Sequence, residues 1–570
     1  MALPFSGQAA SSSRKLGRSA PRALPPQMRP HPPKTSLGRR PPAVVLFIIS
    51  VLLYAAPFVW RSPLAPYLSF VALIPAFELL ARTKPGWAAL QGALAGAAIF
   101  GLVCPWLAAY HLGAILFVIG LEATWFSVAF ASISAVLRTR SRFSIPAAVF
   151  TWAVIDIGRS VGFLAFPYGS LPYSLAYSRA ALVLASIGGV PLVGLAIAGA
   201  NASFLAAIRR FQQPGTGRFA AVAKRAVLGT VCVVFTLAAG KAPATAAVKD
   251  GRQILASVKP ESPLQPGWFR VALIQPAVME QESVSDYSAG FKRIASLSEE
   301  ALDYNPDLVA WYETAIVPPI DWHLRHRPDR DTYEFVSGVD DFIAAFPAPL
   351  LVGNGYAPPD DLARSVEYNS AVLYEGGRIE GRYDKVKLVP FTEYFPYEKL
   401  FPGLTRWLID KFGYFWTPGP GPTILASGKS RFAAPICFED SFGRYMASFD
   451  APDFYIVQTN DSWAKSASMQ EQHLAMSIFR ATETGAILLR VANTGSTAVI
   501  APNGHVVASL PPFEPGTLLV DIPLGSAVTT LYESGGKNVD IAILCIALAL
   551  VILSGSTRGT AFRIDNNDIV

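Results

Sequence analysis

The sequence is short of charge, cysteine and histidine, and each shortage narrows what the chain can be. Of its 570 residues only 16% are charged while 52% are apolar, and the mean hydropathy is +0.35. Those values exclude an ordinary soluble composition and indicate a membrane protein. The six histidines include no pair whose spacing is worth pursuing as metal ligands, so no metal is expected; no nucleotide or organic cofactor is expected either. Acidic residues are missing altogether from the first forty positions, which instead carry Arg14, Lys15, Arg18, Arg22, Arg29, Lys34, Arg39 and Arg40 among many Pro and Ser. Such a segment cannot bury enough apolar surface to fold, so residues 1–42 are predicted to be a disordered basic tail on the cytoplasmic side. A transit peptide would need an amphipathic helical pattern that this segment lacks. Basic flanks before a first span are ordinary topology signals, and no nucleic-acid partner is expected.

What is abundant is apolar sequence of membrane-spanning length. Between residues 43 and 240 it divides into seven candidate spans at 43–60, 64–80, 86–109, 112–137, 145–162, 181–208 and 226–240. Basic residues gather in alternate joints: Arg82 and Lys84; Arg138, Arg140 and Arg142; Arg209, Arg210, Arg218, Lys224 and Arg225. The joints between them hold only Arg61, Arg159 and Arg179. That asymmetry predicts a cytoplasmic N-terminus and puts the chain beyond the seventh span on the far side of the membrane. An eighth span at 539–555 returns the chain, leaving 556–570 as a cytoplasmic tail.

After a linker at 241–266, residues 267–525 have soluble character. Apolar, β-branched runs at 270–276, 307–313, 348–354, 432–438, 453–459 and 486–493 read as buried strands, and segments at 288–304 and 465–484 have helical spacing. Strands alternating with helices indicate an α/β domain. In such sheets functional residues sit where strands end, and Glu313, Cys437 and Asn460 all do.

Of four cysteines, Cys104, Cys232 and Cys545 fall inside predicted spans, where a buried apolar cysteine is unremarkable. Cys437 alone lies in the α/β block and has no partner for a disulfide. A nucleophilic thiol needs a base to take its proton and a positive charge to hold the thiolate. Histidine would be the usual base, but His323, His326, His473 and His505 match no cysteine-protease signature. The carboxylate of Glu313, at the end of an apolar strand, would be poorly solvated and so suited to act as a base. Lys385 stands among apolar and aromatic residues in YDKVKLVPFTEYFP (383–396), an unusual setting for a simple solvated lysine.

Glu313 in WYET, Lys385 in YDKVKLVPFTEY and Cys437 in ICFED occur in the order of the nitrilase-superfamily Glu-Lys-Cys triad. With the flanking spans and the run at 470–505, the chain resembles the apolipoprotein N-acyltransferases, the membrane-anchored branch of that superfamily. The resemblance implies a membrane α-helical bundle of about eight spans carrying an αββα nitrilase-like domain. It also implies a bacterial inner-membrane location with the catalytic domain on the periplasmic face. Glu313 would be the base, Lys385 the oxyanion stabiliser and Cys437 the nucleophile. Its two steps would move an acyl chain from a phospholipid to Cys437, then to the N-terminal amine of a diacylglyceryl-modified apolipoprotein. Glu393 and Glu439 match supporting glutamates of the family, with a solvated surface position as the alternative for both. Phe438, Tyr394 and Trp463 match substrate-handling positions, Trp463 being equally suited to a core role. His473 and Arg480 would anchor the following helix. The segment RSVGFLAFPYGSLPYS (159–174) resembles an aromatic access loop, for which an interfacial aromatic belt is the alternative. A monomer is expected.

Departures from the family pattern at Tyr312, Thr392, Ala464 and Lys465 cluster in loops around the triad. They keep open a diverged membrane paralogue of conjugal-transfer type with another acyl acceptor or an amide substrate. A scaffold with an inactive nitrilase-like domain is the third reading.

Overall fold

The computed structural model describes residues 41–212, 262–279, 283–412 and 416–556, together with 222, 226, 227, 229–231, 254–256 and 259. The two tails, most of the expected seventh span at 226–240 and most of the expected linker lie outside the described residues.

Among the described residues, four helices are long and apolar enough to cross a membrane: Pro85–Val103, Leu112–Leu137, Arg179–Phe211 and Gly536–Ser556. Three shorter apolar elements, Ala43–Val59, Ala65–Leu80 and Ser144–Gly158, accompany them. Two expected spans differ in detail. The one expected at 86–109 stops at Val103, because Pro105 disfavours a helical conformation at Cys104 and the chain resumes only as a single turn, Leu107–Tyr110. The one expected at 64–80 is broken between a 3₁₀ segment, Ala65–Phe70, and a helix, Ile74–Leu80. Asn201 repairs the break: its Oδ1 accepts from Leu73 N at 2.8 Å and its Nδ2 donates to Ser69 O at 2.9 Å. A backbone interruption within an apolar bundle needs such a partner, since lipid offers none.

The helix Arg179–Gln212 also kinks, at Gly188 and Gly189. Gly189 has φ +68, and a Cβ there would lie 2.5 Å from the Tyr532 ring, so only glycine fits. The backbone N–H of Val190, freed by the kink, donates to Glu483 Oε1 of the α/β part at 2.9 Å.

Twelve strands form two six-stranded sheets. The first is built from β1 (Trp268–Gln275), β2 (Leu308–Ala310), β3 (Leu350–Tyr356), β4 (Tyr368–Glu375), β5 (Arg378–Asp384) and β12 (Gly516–Pro523), in the order β12-β1-β2-β3-β4-β5. The second is built from β6 (Ile424–Ser427), β7 (Ser430–Ala433), β8 (Phe454–Thr459), β9 (Ile487–Ala492), β10 (Ala498–Ile500) and β11 (Val506–Ser509), in the order β11-β10-β9-β8-β7-β6. Each sheet has three parallel central strands, β1–β2–β3 and β7–β8–β9, with antiparallel neighbours outside them.

Both faces of each central strand are covered, which is why these strands read as continuous apolar runs. Along β1, Val271 and Leu273 face the second sheet's core while Ala272 and Ile274 face a separate cluster under the helices Val284–Ala301 and Arg330–Ala345. Phe454 of β8 stacks on Phe432 at 5.4 Å and meets Phe269 of β1 at 5.7 Å, joining the sheets. The helix Ala467–Thr484 covers the far side of the second sheet and is buried almost throughout. The arrangement is αββα, as expected.

That last helix is also the seam with the membrane bundle. Gln472 accepts from Gly169 N and donates to Val103 O, both at 3.2 Å, and Phe479 packs edge-on against Tyr173 at 5.5 Å. The loop reaching it is tied down by Arg159, whose guanidinium forms a two-pronged pair with Glu122 at 2.9 and 3.0 Å and donates to Tyr168 O at 2.9 Å. Arg159 and Glu122 are 2% and 0% exposed.

Candidate functional site

The parallel pairing of β7 and β8 resumes three residues beyond β7, with a bridge between Ile436 and Gln458. At Cys437 the chain then leaves the sheet with φ 51, a left-handed conformation uncommon for a residue bearing a side chain. It enters a short 3₁₀ turn, Cys437–Ser441. On the other sheet, the chain beyond β2 carries Glu313 across β3. A Cβ on Gly353 would lie 2.0 Å from Tyr312 O, so this close crossing requires glycine there. Lys385 follows the last residue of β5 and is fixed by its N–H to Asn369 O at 2.9 Å.

These three strand ends converge. Glu313 Oε1 accepts from Lys385 Nζ at 2.8 Å and from Asn369 Nδ2 at 2.9 Å, while Oε2 accepts from the backbone N–H of Asn460 at 3.0 Å. The Lys385 ammonium also donates to Glu393 Oε1 at 2.7 Å, and the other oxygen of Glu393 accepts from Val389 N at 2.8 Å. Lys385 is 1% and Glu313 5% exposed. Burial pulls the Lys385 pKa down, but Glu313 and Glu393 outweigh it and hold it well above the usual lysine range. The Cys437 thiol is pushed up, first by burial and then by the Glu313 carboxylate, with Lys385 opposing them. The resting sulfur therefore carries its proton and requires a base.

The surface alternative for Glu393 and Glu439 does not hold, because both side chains are turned inward. Glu439 is fully buried and caged. Its Oε1 accepts from Val386 N and Lys387 N at 2.7 and 2.9 Å, its Oε2 from Ile436 N at 2.8 Å, and the Tyr383 hydroxyl lies 2.7 Å from both. One carboxylate thus pins the segment after Lys385 to the segment before Cys437. Phe438 packs edge-on against Phe442 at 5.0 Å. Trp463 meets Trp106 and Tyr110 of the membrane part at 5.6 and 5.3 Å, so it belongs to an aromatic wall at the seam. Tyr394 sits half-buried on the Glu393 loop, where its carbonyl accepts from Phe391 N at 2.7 Å.

Beneath Cys437 lies a charge cluster that the sequence did not suggest as a unit. His473 places Nδ1 3.0 Å from Asp461 and Nε2 3.1 Å from Asp440, and Arg490 reaches the same two carboxylates at 2.8 and 3.0 Å. Burial and Arg490 push the His473 pKa down, yet Asp461 and Asp440 prevail and hold it at about 9. Burial pushes both aspartates up, but His473 and Arg490 overcome it and leave each below the usual carboxylate range. Two anions and two cations balance. Cys437, Asp461 and His473 present ligand-type atoms within 4.8 Å of one another. With His473 protonated and Arg490 between the carboxylates, that set is already neutralised and does not suit a metal cation. His473 therefore does more than anchor its helix. Arg480 does act as an anchor, ion-paired with Glu483 at 2.9 Å and donating to Ser441 O at 3.0 Å.

Residues 43–203 match the family of apolipoprotein N-acyltransferase N-terminal domains, and residues 270–532 match the carbon-nitrogen hydrolases. The chain is 31% identical over 549 residues to Apolipoprotein N-acyltransferase 1 of Treponema pallidum (strain Nichols), spanning 90% of this chain and 95% of that one. The chain belongs to the apolipoprotein N-acyltransferase family. A second relative, Apolipoprotein N-acyltransferase 1 of Treponema denticola, is 29% identical, with coverage of 86% of this chain and 91% of its own. Among solved structures, an amidase from Nesterenkonia sp. superposes with a TM-score of 0.34 at 18% identity, covering 48% of this chain and 95% of that chain. The enzyme class is that of the family, an N-acyltransferase on a nitrilase-like domain.

Asn369, Thr459 and the cluster of Asp440, Asp461 and Arg490 went unnoticed in the sequence. A signal existed for Arg490: a charge in the middle of the apolar run AILLRVAN requires buried partners.

Proposed function

We propose that this N-acyltransferase takes an acyl chain from a phospholipid as a thioester on Cys437 and delivers it to the N-terminal amine of a diacylglyceryl-modified apolipoprotein. The observation that carries this reading is the junction of Glu313, Lys385 and Cys437 at three strand ends, with the carboxylate held by Lys385, Asn369 and Asn460. Glu313 takes the thiol proton. The thiolate attacks the ester carbonyl, and the resulting oxyanion is met by the Lys385 ammonium, which among the described residues donates to Glu313 and Glu393 and has a third N–H besides. Collapse breaks the ester C–O bond, and the lysophospholipid oxygen leaves with the proton held on Glu313. In the second half the amine attacks the thioester, Glu313 accepts its proton, the C–S bond breaks and the thiol is restored. Dividing a difficult ester aminolysis into two thioester steps is what the covalent intermediate provides.

The same reading takes Phe438, Tyr394 and Trp463 as substrate-handling positions and Glu393 and Glu439 as supports. It keeps eight crossings, an inner-membrane location, a periplasmic catalytic domain at 267–525 and a monomer. The charge asymmetry of the joints supports that orientation.

Complementation of a strain depleted of its lipoprotein N-acyltransferase tests it. Rescue is expected from the wild type and not from Cys437→Ala, Glu313→Gln or Lys385→Ala; growth supported by C437A would reject the mechanism. Incubation of the purified protein with phospholipid is expected to leave an acyl adduct on Cys437 and to release lysophospholipid.

A further inference from the structure

A half-buried thiolate such as that of Cys437 is only partly solvated and gains from a hydrogen-bond donor as well as a nearby cation. Among the described residues, one hydrogen bond reaches the Cys437 sulfur, and it comes from the Thr459 hydroxyl at 3.6 Å. Thr459 ends β8, is fully buried, and is held on its strand by pairing with Ala492 of β9. Its hydroxyl has a single proton and two acceptors within reach, the sulfur and Asp461 Oδ1 at 3.2 Å. The oxygen itself accepts from Arg490 Nη2 at 3.3 Å, which leaves the O–H to choose between the two.

We propose that Thr459 is the residue that stabilises the Cys437 thiolate, its O–H turning from Asp461 to the sulfur when the thiol ionises. The inference rests on Cys437 being the nucleophile. Four features make the switch cheap. No proton leaves Thr459, since the thiol proton passes to Glu313 and the hydroxyl merely rotates. Asp461 keeps His473 Nδ1 at 3.0 Å and Arg490 Nη2 at 2.8 Å when the hydroxyl turns away. Arg490 continues to donate to the oxygen and so polarises the O–H toward the sulfur. β-Branching restricts the Thr459 side chain to few rotamers, keeping the hydroxyl in place. The charge cluster beneath the site thus acquires a function: it aims one neutral donor at the reacting atom while presenting no net charge of its own.

The test is the rate of Cys437 alkylation by iodoacetamide, followed by peptide-resolved mass spectrometry on the full-length protein in detergent across pH 6–10. In Thr459→Val, which keeps shape and loses the O–H, the rate below the titration midpoint is expected to fall about tenfold and the profile to move up by about one pH unit. Thr459→Ser is expected to stay within about twofold of wild type, with thermal midpoints similar in all three. A T459V profile that overlays wild type, or a T459S profile as slow as T459V, overturns the assignment. Should T459V fail to accumulate, T459A reads the same shift, and coincidence with wild type there overturns it equally. A wild-type Cys437 that resists alkylation at every pH would instead sink the nucleophile reading itself, and this inference with it.

Discussion

At the residue scale, the site works by drawing charges together largely out of water and pairing each with an opposite one. Glu313 accepts from three donors and touches almost no solvent, so Glu313→Gln removes the base and turns an amide nitrogen toward one of those donors; kcat of the folded enzyme is expected to fall by about 10²–10⁴-fold with KM little changed, measured by turnover of the purified enzyme. Glu439 is a different case, because its carboxylate accepts three backbone N–H bonds and a tyrosine hydroxyl. In Glu439→Gln the amide nitrogen must face one of those donors. A loss of about 2–3 kcal/mol is expected in denaturant unfolding, along with lower activity because Lys385 and Cys437 are no longer pinned together. His473 gives a pH signature. Its folded-state pKa of about 9 lies above the value of about 6.5 for an unfolded chain. Its contribution to stability is therefore complete below pH 6.5 and lost as pH rises through 9. The thermal midpoint of the wild type should fall across that window, and His473→Gln should flatten the slope; a wild-type midpoint constant from pH 6.5 to 9.5 would refute the ion-pair account.

At the scale of elements, what the sequence disclosed depended on whether a segment's surroundings were uniform. The central strands β1, β2, β8 and β9 are buried on both sides, so their apolar runs stand out, and Glu313 and Asn460 follow because they lie just beyond β2 and β8; Lys385, after the edge strand β5, is legible only from its apolar and aromatic neighbours. β5, whose first residues are exposed at the sheet edge, carries Arg, Glu and Gly and looks like a loop. β4 was passed over with it, and Asn369 went unseen. The interruptions of the membrane helices were invisible for a related reason: hydropathy is blind to which carbonyl or amide has lost its partner. Asn201 and Glu483 are the residues that restore those partners. Replacing Asn201 by Leu leaves Leu73 N and Ser69 O unsatisfied, at about 1–3 kcal/mol each, which should appear as a lowered thermal midpoint in detergent. Gly189→Ala should be comparably harmful, since it combines a left-handed backbone with a collision against Tyr532.

For the whole molecule, the decisive feature is that bundle and catalytic domain share one seam rather than meeting across a linker. Arg159→Met strands the fully buried Glu122 without a counter-charge, an expected cost of about 3–5 kcal/mol. Adding Glu122→Leu should recover much of that stability in thermal unfolding. It should not recover activity, because the carbonyl of Tyr168 still lacks the guanidinium that holds the loop beside Trp106 and Gln472. The buried helix Ala467–Thr484 has a further implication. One of its sides belongs to the sheet and the other to the bundle, so cutting the chain ahead of β1 would bare Phe479, strip Gln472 and Glu483 of their partners at Gly169, Val103 and Val190, and leave the apolar helix Gly536–Ser556 without its neighbours. Liberated from its bundle, the catalytic half should precipitate, and surfactant should be as necessary to its handling as to that of the intact enzyme.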